Sequence, residues 1–406
     1  MRLRIKDICD YVSRGTTPDY VDEGANKVMN QATFSKGWID ESNIRYTSKT
    51  NKGARIMKGD LLMASTGGGV LGKVFFFDDD DSFYADSHVT IMRNSKGANL
   101  MKYLYYYFYL RYDEINATMV KGSTNQTELQ RNYLLSYELD VPTLADQQRM
   151  VTYLDTKLSE IDHQVSLLTS KRDAYLRLKK SIINHAVTRG LNPNVKMKDS
   201  DIEWIGEVPE HWEVKRMKDI CDYISRGSTP DYVDEDYQKV MNQGTFSKGW
   251  IDESNIRYTK VGKSGAHIKK GDLLMASTGG GVLGKILYFD SIDENYYADS
   301  HVTIMRNSKG INSMKFLFYH FSLRFDEINA TMTKGSTNQT ELQRYELLSH
   351  KVAIPPLPEQ HAIATYLDDK CAKIDTIVSN LDKQISRYGD LKRSLIDEVI
   401  TGKRAV

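Results

Sequence analysis

From residue 8 to 97 the apolar stretches are short and are punctuated by glycine and proline, at Gly15, Pro18, Gly24, Gly37, Gly53, Gly59, Gly67–Gly69, Gly72 and Gly97. Such spacing predicts brief strands joined by turns. Asp60-Leu-Leu-Met-Ala, Val74-Phe-Phe-Phe and Val89-Thr-Ile-Met read as strands, partly or wholly buried. A helical segment near 99–118 follows, then a polar loop at 120–128 and a strand ending at Val141-Pro142. The pattern then changes. No proline or glycine occurs between Gln147 and Val187, and Val151, Leu154, Leu158, Ile161, Val165, Leu168, Tyr175 and Ile182 recur on steps of three and four. Arg172 and Lys179 interrupt the apolar positions. This is a heptad seam on a helix of about 40 residues, roughly 60 Å long.

Both patterns then recur. Residues 8–78 match 220–290, and 84–131 match 297–344, with 95 of 119 positions identical; 144–188 and 357–401 share only 18 of 45. The front of each unit is nearly duplicated and the back has diverged. A period of about 212 residues is a domain plus a connecting element, far longer than a solenoid repeat. The second seam runs through Ala364, Leu367, Cys371, Ile374, Val378, Leu381, Ile385, Tyr388, Leu395 and Val399. Each seam either packs on its own domain or pairs with the other, and equal length and periodicity favour pairing. The expected division is an α+β domain at 1–143, a helix at 144–188, a linker and lead-in at 189–213, a second domain at 214–356, a second helix at 357–401 and a tail at 402–406. Within the linker, Trp204-Ile-Gly-Glu-Val-Pro-Glu-His-Trp212 is too aromatic for a spacer and is expected to clasp the start of the second domain.

Charge is balanced, with 55 basic and 54 acidic residues, so no global field recruits nucleic acid or membrane. Cys9, Cys221 and Cys371 form no CxxC pair, and Cys9 and Cys221 are repeat equivalents, which reads as buried small side chains in a reducing setting. The N-terminus lacks the apolar core of a signal peptide, and the longest apolar run, 103–110, is far below the ~18 residues of a spanning helix. A soluble cytoplasmic protein is expected.

Gly67-x4-Gly72-Lys73 has the spacing of a phosphate loop, but Val74 stands where magnesium needs a hydroxyl, as does Ile286 in the second copy. A glycine-rich turn that lets another backbone come close is the better reading. Pro355-Pro356 follows Ile354, so no methyl-transfer motif is present, and neither a metal spacing nor a nucleophile triad surrounds His88 or His301. The acidic run Asp78–Asp81 is not kept in the second copy and reads as a solvated turn. No active site or cofactor site is expected. Polar residues shared by both copies are the candidates for DNA contact: Asn30, Gln31, Lys36, Ser65, Thr66, Lys73, Ser87, His88, Lys121, Ser123, Thr124, Asn125 and Gln126. Their equivalents are Asn242, Gln243, Lys248, Ser277, Thr278, Lys285, Ser300, His301, Lys334, Ser336, Thr337, Asn338 and Gln339. Asn and Gln pair bidentately with adenine, Lys with guanine or phosphate, and Ser or Thr with either. The loop 48–52 differs wholesale from 260–264 and is not expected to read the same feature twice.

Ile354-Pro-Pro-Leu-Pro-Glu-Gln360, its degenerate copy Val141-Pro-Thr-Leu-Ala-Asp-Gln147, the Trp204–Trp212 lead-in, and the GDLL…TG…GK and KGST elements occur in this order. Over essentially its full length the chain resembles the specificity subunit of Type I restriction-modification systems. The resemblance implies two target-recognition domains, related by a pseudo-two-fold axis and separated by two long helices forming an antiparallel coiled coil. It implies a non-catalytic subunit that reads double-stranded DNA at a bipartite site. Two methyltransferase (M) subunits, which carry S-adenosylmethionine, would methylate adenine, and restriction/translocase (R) subunits would cut. Near-identical domains make an interrupted palindrome the expected target. The first domain lacks the aromatic lead-in, so the segment around 400–406 is expected to cover its edge. A coiled-coil scaffold, or the recognition module of a fused DNA methyltransferase, is the alternative.

Overall fold

Leu61–Ala64 shows no alternation of apolar and polar residues because both faces of its sheet are covered. Leu61 and Met63 enter one core while Leu62 and Ala64 enter another. The strand Leu273–Ala276 divides its side chains in the same way. The computed structural model spans residues 1–406 and describes all but 25, 49–53, 96, 123–126, 203–204, 235–237, 261–265, 294 and 336–339. Among the described residues, no helix is long and apolar enough to cross a membrane.

The chain forms two compact units. One comprises Met1–Thr169 with Lys383–Val406, the other Ser170–Asp382. In the first unit an antiparallel sheet runs in the order Tyr11–Arg14, Val89–Arg93, Leu61–Ala64, Val74–Phe76. A second sheet runs Tyr20–Val21, Arg45–Thr47, Asn26–Met29, Phe83–Ala85, Arg55–Ile56, with one parallel pair between Asn26–Met29 and Phe83–Ala85. The core between the sheets holds Met29, Phe34, Leu62, Phe77 and Ile91. The other core joins the first sheet to the helices, to Val151, Leu154, Leu158 and Ile161 of the first long helix, and to Leu395, Ile396 and Val399 of the second. At Gly15 two backbones come close: a Cβ there would lie 2.2 Å from the Ala85 carbonyl oxygen.

The expected helix near 99–118 is two helices, Ala98–Tyr109 and Tyr112–Thr118. Neither proline nor glycine breaks it. The break falls at Leu110-Arg111, where Arg111 stacks 3.5 Å over the Tyr107 ring and donates to the Tyr107 carbonyl at 3.0 Å, satisfying a helix-end acceptor. The C-terminal segment meets the same unit. Ile400 is buried, Val406 packs on the core, and Arg404 donates to the Tyr153 hydroxyl at 3.3 Å.

The second unit repeats the first sheet as Tyr223–Arg226, Val302–Arg306, Leu273–Ala276, Ile286–Tyr288. Its other sheet keeps four strands, and the His267–Tyr297 bridge stands in the place of the fifth. The lead-in forms a hairpin between Met197–Asp199 and Glu207–Pro209. Trp212 is fully buried against Phe316 and donates to Glu359 at 3.2 Å, so the clasp forms at this end; Trp204 lies outside the described residues.

The long helices run Leu144–Arg189 and Leu357–Ile400. Arg172 and Lys179, the interruptions of the first seam, hold the partner helix: Arg172 pairs with Asp382 at 3.4 Å and Lys179 with Asp375 at 2.6 Å. The partner number falls as the other rises, so the helices are antiparallel here. In the first unit Lys392 pairs with Asp162, also at 2.6 Å. These two are the repeat equivalents of Lys179 and Asp375, so each unit makes the same cross-helix ion pair.

Candidate nucleic-acid interface

The short helix Gln31–Phe34 begins at Asn30, whose side-chain oxygen accepts from the Ala32 and Thr33 amides at 2.8 and 3.2 Å. Its amide nitrogen donates to the Asn43 carbonyl. Asn242 does the same around Gln243–Phe246. Both were candidate DNA contacts. Both also shape the loop that carries the next residue, through the side-chain oxygen and one N–H, which leaves each amide nitrogen a second N–H.

Gln31 is that next residue. Its Oε1 accepts from the Thr66 hydroxyl at 3.2 Å, and the same hydroxyl lies 2.7 Å from Nδ1 of His88. The second unit repeats the triplet with Thr278 to Gln243 at 3.0 Å and to His301 at 2.7 Å. Three segments far apart in sequence meet here because the sheets place them together. The Ser65 amide bonds the His88 carbonyl, the His88 amide bonds Asp86, and Leu129 bonds the Ser65 carbonyl. Burial pushes the Asp86 carboxyl upward, opposed by the His88 amide hydrogen bond. The glycine-rich turn serves this site in an unforeseen way. Gly67 adopts φ +86°, and a Cβ there would lie 2.9 Å from Nε2 of Gln31, so the missing side chain admits an amide rather than another backbone.

Other sequence candidates lie elsewhere. Ser65 and Ser277 are fully buried and bond Thr90 and Thr303 at 2.6 Å, so neither can reach a ligand. Lys73 and Lys285 are half-buried and donate to the Ser35 and Ser247 carbonyls, tying the turn to the helix–loop segment. Lys36 and Lys248 are exposed and pair with Asp40 and Asp252, holding both carboxyls at about 2. Ser87 and Ser300 are half-buried beside the histidines, and Lys121 and Lys334 are exposed on two-stranded hairpins. Ser123, Thr124, Asn125 and Gln126, with Ser336, Thr337, Asn338 and Gln339, lie outside the described residues, as do most of 48–52 and 260–264.

Residues not singled out from sequence complete the surface. Arg45 lies 5.2 Å over the Tyr20 ring, and the Tyr20 hydroxyl reaches Asp86 at 3.4 Å. Arg257 and Tyr232 repeat the stack at 5.0 Å. In the second unit Tyr232, Asn242, Gln243, Arg257, Asp299 and His301 line one open cleft of about 670 Å³. Trp38 and Trp250 stand 60% and 61% exposed on matched turns. All of these are identical between the copies. Their identity between the copies is legible in the sequence, but base-pairing chemistry points first to amides, hydroxyls and lysines. The result is an open polar surface of donors, acceptors and guanidinium groups, suited to base edges and phosphates. Among the described residues, no group of histidine, cysteine and carboxylate could hold a metal.

The family model for the Type I restriction modification DNA specificity domain matches residues 1–167 and 209–387. The chain is 27% identical over 206 residues to the putative type I restriction enzyme MjaX specificity subunit of Methanocaldococcus jannaschii, covering 48% of this chain and 47% of that protein. It is 22% identical over 368 residues to the MjaVIII specificity subunit of the same organism, covering 88% and 82%. A solved structure described as the structural basis of complex assembly and conformational transition of the type I R-M system aligns over 98% of this chain and 97% of its own. Its TM-score is 0.73 at 14% identity, a likeness of fold.

Proposed function

The chain belongs to the Type I restriction modification DNA specificity family, and we propose that it is the non-catalytic DNA-reading subunit of a Type I restriction-modification complex. It reads a bipartite double-stranded site and directs adenine methylation by two methyltransferase subunits and cleavage by restriction subunits. S-adenosylmethionine belongs to the methyltransferases. The observation that carries this reading is the same Gln–Thr–His surface built twice from near-identical domains. Each unit also pairs the long helices antiparallel. Two like readers, if related by the pseudo-two-fold axis that the family resemblance implies, recognise inverted copies of one half-site around a non-specific spacer, as symmetric dimers recognise palindromic operators.

Balanced charge gives the isolated chain weak DNA affinity, because phosphate neutralisation supplies most non-specific binding. The methyltransferase subunits raise that affinity. Comparing the methylomes of cells with and without the gene tests the function: the gene-dependent motif should have two inverted, identical halves. Two unrelated halves refute the palindrome, and no gene-dependent motif refutes the function. Binding by the assembled complex should fall steeply with salt, whereas a pure scaffold shows no DNA dependence.

A further inference from the structure

We propose that the Gln31–Thr66–His88 triplet, and its copy Gln243–Thr278–His301, is the base-reading element, and that it selects adenine over guanine in the duplex major groove. The proposal rests on the DNA-reading function above and assigns its chemistry.

A threonine hydroxyl carries one proton. Thr66 Oγ1 contacts both the Gln31 amide, at 3.2 Å, and His88 Nδ1, at 2.7 Å. It donates to one of them, so the other must donate to it. With the carbonyl of Gln31 toward Thr66, the hydroxyl proton goes to Gln31 and the neutral His88 ring donates from Nδ1. The outward groups are then the Gln31 NH₂, a donor, and His88 Nε2, an acceptor. Turning the amide end for end reverses every bond. Thr66 then donates to Nδ1, Nε2 bears hydrogen, and Gln31 presents its carbonyl. Both arrangements leave one donor beside one acceptor.

Adenine shows the complementary pair, N7 as acceptor and the N6 amino group as donor, whereas guanine shows two acceptors, N7 and O6. The triplet therefore satisfies adenine and leaves an acceptor facing an acceptor on guanine. Among the described residues, no hydrogen bond engages His88 Nε2 or the outward end of Gln31, and His88 is exposed. In the second unit Gln243 and His301 line the same cleft. The backbone that carries the ring is held by two bonds, from the His88 amide to Asp86 at 2.8 Å and from the Ser65 amide to the His88 carbonyl at 2.8 Å, and Thr66 holds the ring itself at Nδ1.

The test uses the full chain assembled with its methyltransferase subunits, on duplexes carrying its methylated motif. Each adenine is replaced in turn by 7-deazaadenine, which lacks the N7 acceptor, by purine, which lacks the amino group, or by guanine. One adenine per half-site should respond to all three, losing about tenfold or more in affinity. In Thr66→Val/Thr278→Val, which keeps the shape and removes the proton, the penalty for guanine at that position should fall below about threefold. Penalties elsewhere should stay. Gln31→Ala/Gln243→Ala should relax the same position, which guards against a folding defect in the valine variant. A motif read normally by both variants overturns the proposal, and so does a uniform loss across all sequences, which marks a phosphate contact. A wild-type complex with no sequence preference overturns the proposed function itself, and this inference with it.

Discussion

Replacing the buried histidine pair of the second unit with the tyrosines of the first should remove an acid-sensitive weakness from one unit alone. His320 and His350 occupy the positions of Tyr107 and Tyr137. In the first unit the tyrosine hydroxyls meet at 3.1 Å, and Tyr137 donates to Glu114 at 2.9 Å, so phenols stand where the second unit has imidazoles. In the second unit the imidazoles are 3.4 Å apart beside the buried Arg324. Burial, then Arg324, lowers His350 from the ordinary 6.5 to about 4, and burial, Arg324 and His350 hold His320 well below its ordinary value. The unfolded chain then binds protons more readily than the folded one. Stability is intact above about pH 6.5 and is lost as pH falls toward 4. For His350 alone the loss is about 3 kcal/mol at completion, and His320 adds to it. Glu327, whose carboxyl burial pushes upward beside Arg324, acts in the opposite sense, so acid relieves part of the strain. A loss of about 3 kcal/mol corresponds to roughly 6–12 °C in melting temperature for a unit of this size. Hydrogen exchange read by mass spectrometry from pH 8 to 4, corrected for intrinsic exchange, separates the units, with the first as internal control. Peptides of 314–354 should lose protection on acidification while those of 101–141 hold. His320→Tyr/His350→Tyr should abolish the difference. Equal acid sensitivity in the two units, or a double variant that keeps it, would refute the reasoning.

Gly15→Ala and Gly227→Ala each place a Cβ about 2 Å from a carbonyl oxygen, at 2.2 and 2.1 Å; each should cost roughly 3 kcal/mol or more, since backbone must move. A melting shift of only a degree or two would contradict this. Ser65→Ala leaves the buried Thr90 hydroxyl without its partner and should cost about 1–3 kcal/mol. It should leave base preference unchanged, and an altered methylation motif would return Ser65 to the reading surface. Exchanging charges, as Asp162→Lys with Lys392→Asp, should restore what either single change loses. With Asp162 60% exposed, the cycle should give no more than about 1 kcal/mol; a much larger coupling in denaturant unfolding would mean that the helix pair depends on this contact.

The amino-acid sequence by itself determined the duplication, the α+β character of the repeated domain and the two long helices, because each is written in local signals. Turn residues at short intervals and apolar steps of three and four survive without knowledge of what they touch. The family was legible for the same reason, since its junction and lead-in motifs are contiguous. Tertiary structure alone decided which polar residues face outward. Ser65 and Thr66 are neighbours of similar chemistry, yet one bonds Thr90 in the interior and the other joins Gln31 to His88 at the surface. The strand Leu61–Ala64 that leads into them sends successive side chains to opposite faces, both of them covered, and only the tertiary contacts show that the covering includes Ser65 and ends at Thr66. The same holds for Asn30, whose side-chain oxygen accepts from Ala32 and Thr33 only because the helix it caps brings those amides to it. Gln31, Thr66 and His88 are 22 to 57 positions apart, and no local signal announces a hydroxyl proton that two side chains must share. That contact exists only where the chain returns on itself.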